Sequence, residues 1–375
     1  MGKFLFLLVL MLCLSGTFQK KGKKKSGIQE RKNTSAIIYP RTFKGRLLAQ
    51  TRLLSLNGTP LPMYSPPKLQ LLGNSTARYL DGLLSTKILP GVYMLVVAVG
   101  FPANVAILSL LACKVRKVSS AILYSSLAAS NILLLGSLFF KAHYHLHDNH
   151  WALGEVACRV VTACFYGNLY CSAHTLACIS IQRYLAVVHP FAYKRLPKRV
   201  FAAWMAAAVW GVFAAAALPQ LMVRQSFHIP ELGRITCHDV LPLDLGSHVF
   251  FLHYNLVLAL AGLLGPLVVT VLCYIRIMCD LQQSHLDWTV YMKASSLVFA
   301  IFLLCFTPPG VVQFLHHVQL FVNGTEGSYV VFNVAVCLCY LHACLDPFLF
   351  LLMSKSTRAS LYYITFKPRT ISTSS

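Results

Sequence analysis

The residues best suited to chemistry in this chain are arranged as a substrate rather than as a catalyst. They form the stretch Pro40-Arg41-Thr42-Phe43-Lys44-Gly45. Arg41 offers the long cation that the acidic specificity pocket of a trypsin-like serine protease accepts. Pro40 fixes φ and favours the extended strand such enzymes bind. Hydrolysis of the Arg41–Thr42 bond would leave a new α-amine on Thr42 beside the apolar plug Phe43, with Lys44 and Gly45 following. Arg31, Arg46 and Arg52 offer competing tryptic bonds, so these residues alone leave the position of a cut open. Catalytic constellations do not emerge. Intramembrane proteolysis needs a Ser/His pair in a Gly-x-Ser-x setting or two aspartates at depth, and Asp346 is the sole acid at mid-depth in an apolar segment. No Gly-rich phosphate loop or haem motif is found. His143, His145, His147 and His150 alternate as zinc ligands on an extended loop might, yet no cysteine is free to join them, so neither a metal nor a cofactor is expected.

The elements that position these residues follow from composition. The chain is 57% apolar and 12% charged, against about 45–50% and about 25% for a soluble domain. Its formal net charge is +22; a membrane and proteins are the expected partners, with no nucleic acid among them. Lys3 followed by the apolar run Phe4–Leu14 and small residues reads as a secretory leader over 1–17. Residues 18–87 carry Lys20, Lys21, Lys23, Lys24, Lys25 and many prolines, and read as a disordered exported tail. Sequons at Asn33, Asn57, Asn74 and Asn323 offer glycosylation sites on the exported side. Residues 88–353 contain seven segments of about 20 or more apolar residues, near Ile88–Cys113, Ala121–Tyr144, Val156–Val188, Val200–Leu221, Ser247–Met278, Val290–Val318 and Ser328–Met353. Only helices can span lipid here, because the alternation of a barrel strand is missing. Lys114, Arg116, Lys117, Lys194, Arg195, Lys198, Arg199, Lys355 and Arg358 fall on one side, which the positive-inside rule makes cytosolic. The fold class is therefore an all-α membrane protein, a seven-transmembrane helix bundle with an extracellular N-terminal tail and a short cytoplasmic tail over 354–375. On this topology only Cys158 and Cys237 of the mature chain face the oxidising side, and they are expected to pair.

Across these spans lie Gly100-Phe101-Pro102-Ala103-Asn104, Leu127-Ala128-Ala129-Ser130-Asn131, Gln182-Arg183-Tyr184, Trp210, Pro219, Pro266, Tyr274, Cys305-Phe306-Thr307-Pro308 and Asp346-Pro347-Phe348-Leu349-Phe350. Their joint order resembles rhodopsin-like G-protein-coupled receptors. Trp151-Ala152-Leu153-Gly154-Glu155, Phe165-Tyr166-Gly167-Asn168 and Cys237-His238-Asp239-Val240-Leu241-Pro242 are similar to the proteinase-activated receptors of that class. The resemblance implies a plasma-membrane receptor activated when an extracellular serine protease, thrombin-like or otherwise trypsin-like, frees a ligand carried in the tail. It also implies coupling to a heterotrimeric G protein, and a second protease-activated receptor as a partner. It places the cut at Arg41–Thr42, with Thr42, Phe43, Lys44 and Gly45 as tethered ligand. It implies ligand contacts at Asp239, Val240, Leu241, His316, His317, Tyr329 and Phe332. It assigns the activation switch to Asn104, Asn131, Arg183, Tyr184, Pro266, Tyr274, Phe306, Pro308, Asp346, Pro347 and Phe350.

The chain departs from the family in ways that matter. No Asp or Glu occurs between Thr42 and Leu80, so the acidic patch that docks thrombin's basic exosite in thrombin-cut members is missing, and with it the expected steering. Asn131 stands where the family has Asp, which puts sodium binding in doubt. Phe350 stands for Tyr, Gln182 for the acid that pairs with Arg183, and His342 for Asn. These changes leave two expectations open: a working receptor, or a weakly signalling cofactor that presents protease to another receptor.

Overall fold

The computed structural model describes residues 43–48, 66–71, 74–112, 119–242, 254, 257–258, 260–283, 289–322 and 328–353. Helix α1 (Asn74–Leu80) leads through a π-helical turn, Leu84–Ile88, into α2 (Leu89–Ala112), the first span. The second and third spans are α3 (Ser120–Leu146) and α4 (Gly154–Val188). A short α5 (Pro190–Arg195), with its proline at the first turn where no N–H is missed, precedes the fourth span α6 (Lys198–Met222). The fifth is a π-helical turn Leu260–Leu264 running into α7 (Gly265–Gln283). The sixth comprises α8 (Thr289–Ile301), a π-helical turn Phe302–Phe306 and α9 (Thr307–Val322). The seventh is α10 (Ser328–Tyr340) and α11 (His342–Met353), broken at Leu341.

Six of these helical stretches are long and apolar enough to cross a membrane by length and composition. Span three, α4, does not join them on hydropathy because it carries Thr162, Asn168, Ser172, Thr175, Ser180, Gln182 and Arg183, all of them buried. Its position explains the tolerance: α4 packs against α3, α6, α7 and α8, so its polar groups face protein rather than lipid. The other spans turn large apolar side chains outward, among them Leu95, Trp204, Met222, Leu272, Leu304 and Val331. That is the reverse of a water-soluble protein, and it identifies hydrocarbon as the solvent.

The outer end, defined here as the end carrying the disulfide, bears strands β1 (Phe43–Leu47), β2 (Leu69–Leu71), β3 (Ser226–Ile229), β4 (Arg234–Cys237) and β5 (Val240–Pro242). β3 and β4 form an antiparallel hairpin turned at Gly233, whose φ of 62° favours glycine. β1 lies centrally in a second sheet, antiparallel to β2 and parallel to β5. Parts of the tail read as disordered are thus built into the outer face. Leu69, Tyr79 and Leu80 are buried in the main apolar core, which supplies the burial that the tail's own composition lacks.

Close helix contacts rest on small residues. A Cβ at Gly262 would come within 2.5 Å of the Tyr170 ring, and one at Gly167 within 2.7 Å of the Phe213 ring. Both Gly262→Ala and Gly167→Ala should lower the stability of the purified receptor, by about 1–3 kcal/mol each. Unchanged melting temperatures would show that the spans pack less tightly than described.

Candidate functional site

The outer site begins with the loop between α6 and α7. Cys237 is bonded to Cys158 with a Cα–Cα distance of 5.8 Å, tying β4 to the first turns of α4. Beside it the Glu155 carboxylate accepts from Gln225 N and Ser226 N, both at 2.9 Å, and from Ser226 Oγ at 2.6 Å. Arg159 Nε donates to the same carboxylate at 2.6 Å, and its Nη1 to Leu221 O at 3.1 Å. Trp151 N donates to Ile235 O at 2.7 Å, so both ends of the hairpin are held.

Past Cys237 the chain turns at His238, whose φ of 68° is unusual for a residue with a side chain. Its imidazole compensates. Nδ1 lies 2.6 Å from Gln225 Oε1 and Nε2 lies 2.9 Å from the Tyr166 hydroxyl, while its N–H donates to Gln225 O at 2.9 Å. This turn delivers Asp239, only 2% exposed, to the Tyr144 hydroxyl, which donates to Oδ2 at 2.6 Å. Val240 follows, fully buried. Asp239 and Phe332 line a cavity of about 20 Å³ at the outer end, room for about one water. Tyr79, Lys141, Tyr166 and Asn333 share that wall, and Asn333 Nδ2 donates to the Tyr79 hydroxyl at 3.0 Å. Phe332, 4% exposed, offers only an apolar face.

Of the remaining residues expected here, Leu241 pairs through its backbone with Lys44, and Gly45 with Pro242. His316, His317 and Tyr329 belong to α9 and α10, with side chains outside the described residues. Arg41, Thr42, Asn33, Asn57 and Asn323 also lie outside them, as does the side chain of Asn74. Lys141, Tyr144 and Asn333 were not assigned to the site from sequence, and His238 entered only as part of a family motif. Lys141 carried a usable signal, since a charge within an apolar span tends to face the bundle interior.

The inner site is a chain of amides. Asn104 Nδ2 donates to Gly100 O at 2.9 Å and Ala343 O at 2.7 Å, where Pro347 leaves a carbonyl without its helical partner. Asn131 Nδ2 donates to Asn104 Oδ1 at 3.2 Å and to Asp346 Oδ2 at 2.8 Å, and Asn168 Nδ2 donates to Asn131 Oδ1 at 3.2 Å. Further in, Arg183 is 4% exposed and its Nη2 donates to the Tyr124 hydroxyl at 2.8 Å. Its Nε and Nη1 meet no partner among the described residues. Gln182 is directed elsewhere, its Nε2 lying 3.9 Å from Met205 Sδ. Phe350 packs edge-on against Tyr124, ring centroids 5.8 Å apart, so the phenol contributes both the apolar seat for Phe350 and the acceptor for Arg183. Tyr184 bonds His189 at 3.0 Å, Tyr274 stacks on Phe299 at 4.5 Å, and Phe306 packs on His342 at 4.9 Å. Pro266 is buried and Pro308 half-buried.

A helical bundle of seven spans, a loop bonded to span three, a buried amide chain about Asn131 and, further in, Arg183 held at Tyr124 define a transmembrane receptor. The model of the 7 transmembrane receptor (rhodopsin family) matches residues 103–350. Proteinase-activated receptor 3 of Homo sapiens is 42% identical over 292 residues, 78% of each chain. Proteinase-activated receptor 2 of Mus musculus is 32% identical over 326 residues, 85% of this chain and 79% of that one. Proteinase-activated receptor 4 of Homo sapiens is 34% identical over 287 residues, 76% of this chain and 74% of that one. The chain belongs to the rhodopsin family of seven-transmembrane receptors and, within it, to the proteinase-activated receptors. It is accordingly a multi-pass membrane protein, a receptor and not an enzyme.

The Arg183–Tyr124 contact generates a prediction. An unpaired buried donor costs about 1–3 kcal/mol, more when charged. Tyr124→Phe takes away the only acceptor described for Arg183, so it should lower the melting temperature and raise basal nucleotide exchange on a co-reconstituted G protein, by about tenfold. Gln182→Glu should raise the melting temperature by supplying a carboxylate. Unchanged melting temperatures for both variants would contradict this reading of Arg183.

Proposed function

We propose that an extracellular trypsin-like serine protease cuts this receptor after Arg41, and that the new N-terminus at Thr42 acts in cis as agonist on the second outer loop. The observation that carries the reading is the sheet at the outer face. β1, which starts one residue beyond the proposed N-terminus, runs parallel to β5 with Phe43 opposite Val240 and Lys44 opposite Leu241. A strand added to a loop edge gains main-chain hydrogen bonds without needing deep side-chain pockets, and tethering supplies a high effective concentration. Asp239, the residue that precedes β5, is the carboxylate proposed to receive the amine freed at Thr42, and His316, His317, Tyr329 and Phe332 complete the proposed ligand wall. Activation passes inward to the chain Asn104, Asn131, Asp346 and Arg183, and on to a heterotrimeric G protein.

The N-terminus is placed outside the plasma membrane, with glycans at Asn33, Asn57, Asn74 and Asn323. Two observations support this orientation. The Cys158–Cys237 disulfide calls for the oxidising side, and the lysines and arginines cluster in the loops at the opposite end. Because no acid follows the cut before Asp81, thrombin lacks an exosite contact and cuts inefficiently, or another trypsin-like protease acts in its place. A second reading, that the chain presents protease to another receptor of the family and signals weakly itself, draws on Phe350, which offers Tyr124 a ring and no hydroxyl.

Exposure of the intact receptor to thrombin followed by N-terminal sequencing should read Thr-Phe-Lys-Gly. Arg41→Gln should abolish both this sequence and the calcium response, and blocking thrombin's exosite should slow cleavage less than twofold. A wild-type response from Arg41→Gln cells would end the tethered-ligand reading; sequence Thr-Phe-Lys-Gly without any response would favour the cofactor.

A further inference from the structure

A charged residue inside a span calls for a partner, and Lys141 has one within reach. It lies on α3 one turn before Tyr144 and His145, and residues three and four apart share a helix face. Two contacts fix where that face points. Tyr144 donates to Asp239 Oδ2 at 2.6 Å, and His145 Nδ1 lies 2.6 Å from Asn149 Oδ1. Lys141 itself is half-buried and lines the cavity of about 20 Å³ that Asp239 also lines.

Charge balance then selects the partner. Asp239 is 2% exposed, and the Tyr144 phenol gives it a hydrogen bond but no positive charge. A carboxylate taken out of water needs a cation or a proton. The two imidazoles on the same wall are committed, His145 to Asn149 and His238 between Gln225 Oε1 and the Tyr166 hydroxyl. With Nδ1 of His238 donating to an amide oxygen, its Nε2 accepts from Tyr166 and the ring is neutral. Among the described residues lining the cavity, Lys141 alone carries a permanent cation, and the field of Asp239 reaches it. The cavity has room for about one water, enough to bridge ammonium and carboxylate.

We propose that Lys141 is the resident counter-ion of Asp239, a positioning residue that competes with the ligand's amine for that carboxylate. The competition rests on the proposed docking of the Thr42 amine at Asp239. Before the amine arrives, Lys141 balances the buried carboxylate and steadies the loop that carries it. Once the amine is present, two cations share one carboxylate and repel each other. Like charges about 10 Å apart at an effective dielectric of about 20 alter binding by about tenfold. Occupation of Asp239 then depends on the high effective concentration that a tether supplies, and diffusing amines are discriminated against.

Two measurements on the purified full-length receptor test this. In a melting cycle, Lys141→Met and Asp239→Asn should each melt below wild type, and the double variant should lose clearly less than the sum of the two losses. Lys141→Gln repeats the cycle if the Met variant fails to fold. In competition binding, the peptide Thr-Phe-Lys-Gly-Arg-Leu is compared with its N-acetylated form; their ratio cancels competition from the resident β1 strand. Lys141→Met should tighten the free-amine peptide about tenfold and leave the acetylated one unchanged. Additive melting losses, or equal tightening of both peptides, would overturn the inference. Non-additive losses with no preference between the peptides on either protein would uphold the Lys141–Asp239 pair and contradict the docking of the amine at Asp239.

Discussion

The outer face of this receptor depends on how firmly the second outer loop is held to span three. A disulfide and a carboxylate hold it. Cys158 takes Cys237, and Glu155, three residues earlier on the same helix, gathers two backbone N–H groups and a hydroxyl from Gln225 and Ser226. With both strands of the hairpin fixed, the chain leaving Cys237 has little freedom, and His238 accepts a positive φ because Gln225 and Tyr166 secure its ring. β5 is the consequence: a short strand with a backbone edge presented to the tail. Without the anchoring, an edge of three residues would gain too few hydrogen bonds to order a partner strand against the entropy of doing so.

Much of the bundle was legible in the sequence, for a physical reason. Lipid demands a near-continuous apolar run per span, so Ser328–Met353 could be bounded from composition and the helices α10 and α11 fill that range. Span three was read as an apolar run like the others, although its buried polar side chains leave it less apolar than the other six, because a helix surrounded by other helices is relieved of the need to be apolar. The cysteine pairing followed from counting which thiols face the oxidising side. What escaped was non-local. Nothing in Phe43–Leu47 marks it as the neighbour of a strand almost two hundred residues later, and β-pairing at that range leaves no local pattern. Lys141, a charge within an apolar span, pointed to the bundle interior, but its place in the cavity wall with Asp239 became visible only once α3 and the loop were in space.

The inner half shows how departures from a family pattern can be absorbed. Asn131 cannot carry the charge of the aspartate it replaces, yet as an amide it both donates to Asp346 and accepts from Asn168, so the polar chain stays continuous with one charge fewer. Gln182 leaves Arg183 without its usual partner, and Tyr124 substitutes with a single oxygen. Phe350 lost its hydroxyl but kept an aromatic seat on the same Tyr124. The three departures thus meet around span two, where neither Gln182 nor Phe350 would direct attention if read along the chain.

Agonism by the tail requires its strand to be seated against the second outer loop. Cysteines introduced at Lys44 and Leu241, which lie opposite one another in the parallel β1–β5 pair, should be joined by a short thiol cross-linker in the intact receptor, whereas a cysteine at Lys44 paired with one at Arg224, outside the strand pair, should not. Efficient linkage of the first pair alone is the predicted result. Equal linkage of both pairs, or none of the first, would mean that the tail does not rest on β5 and would contradict the account.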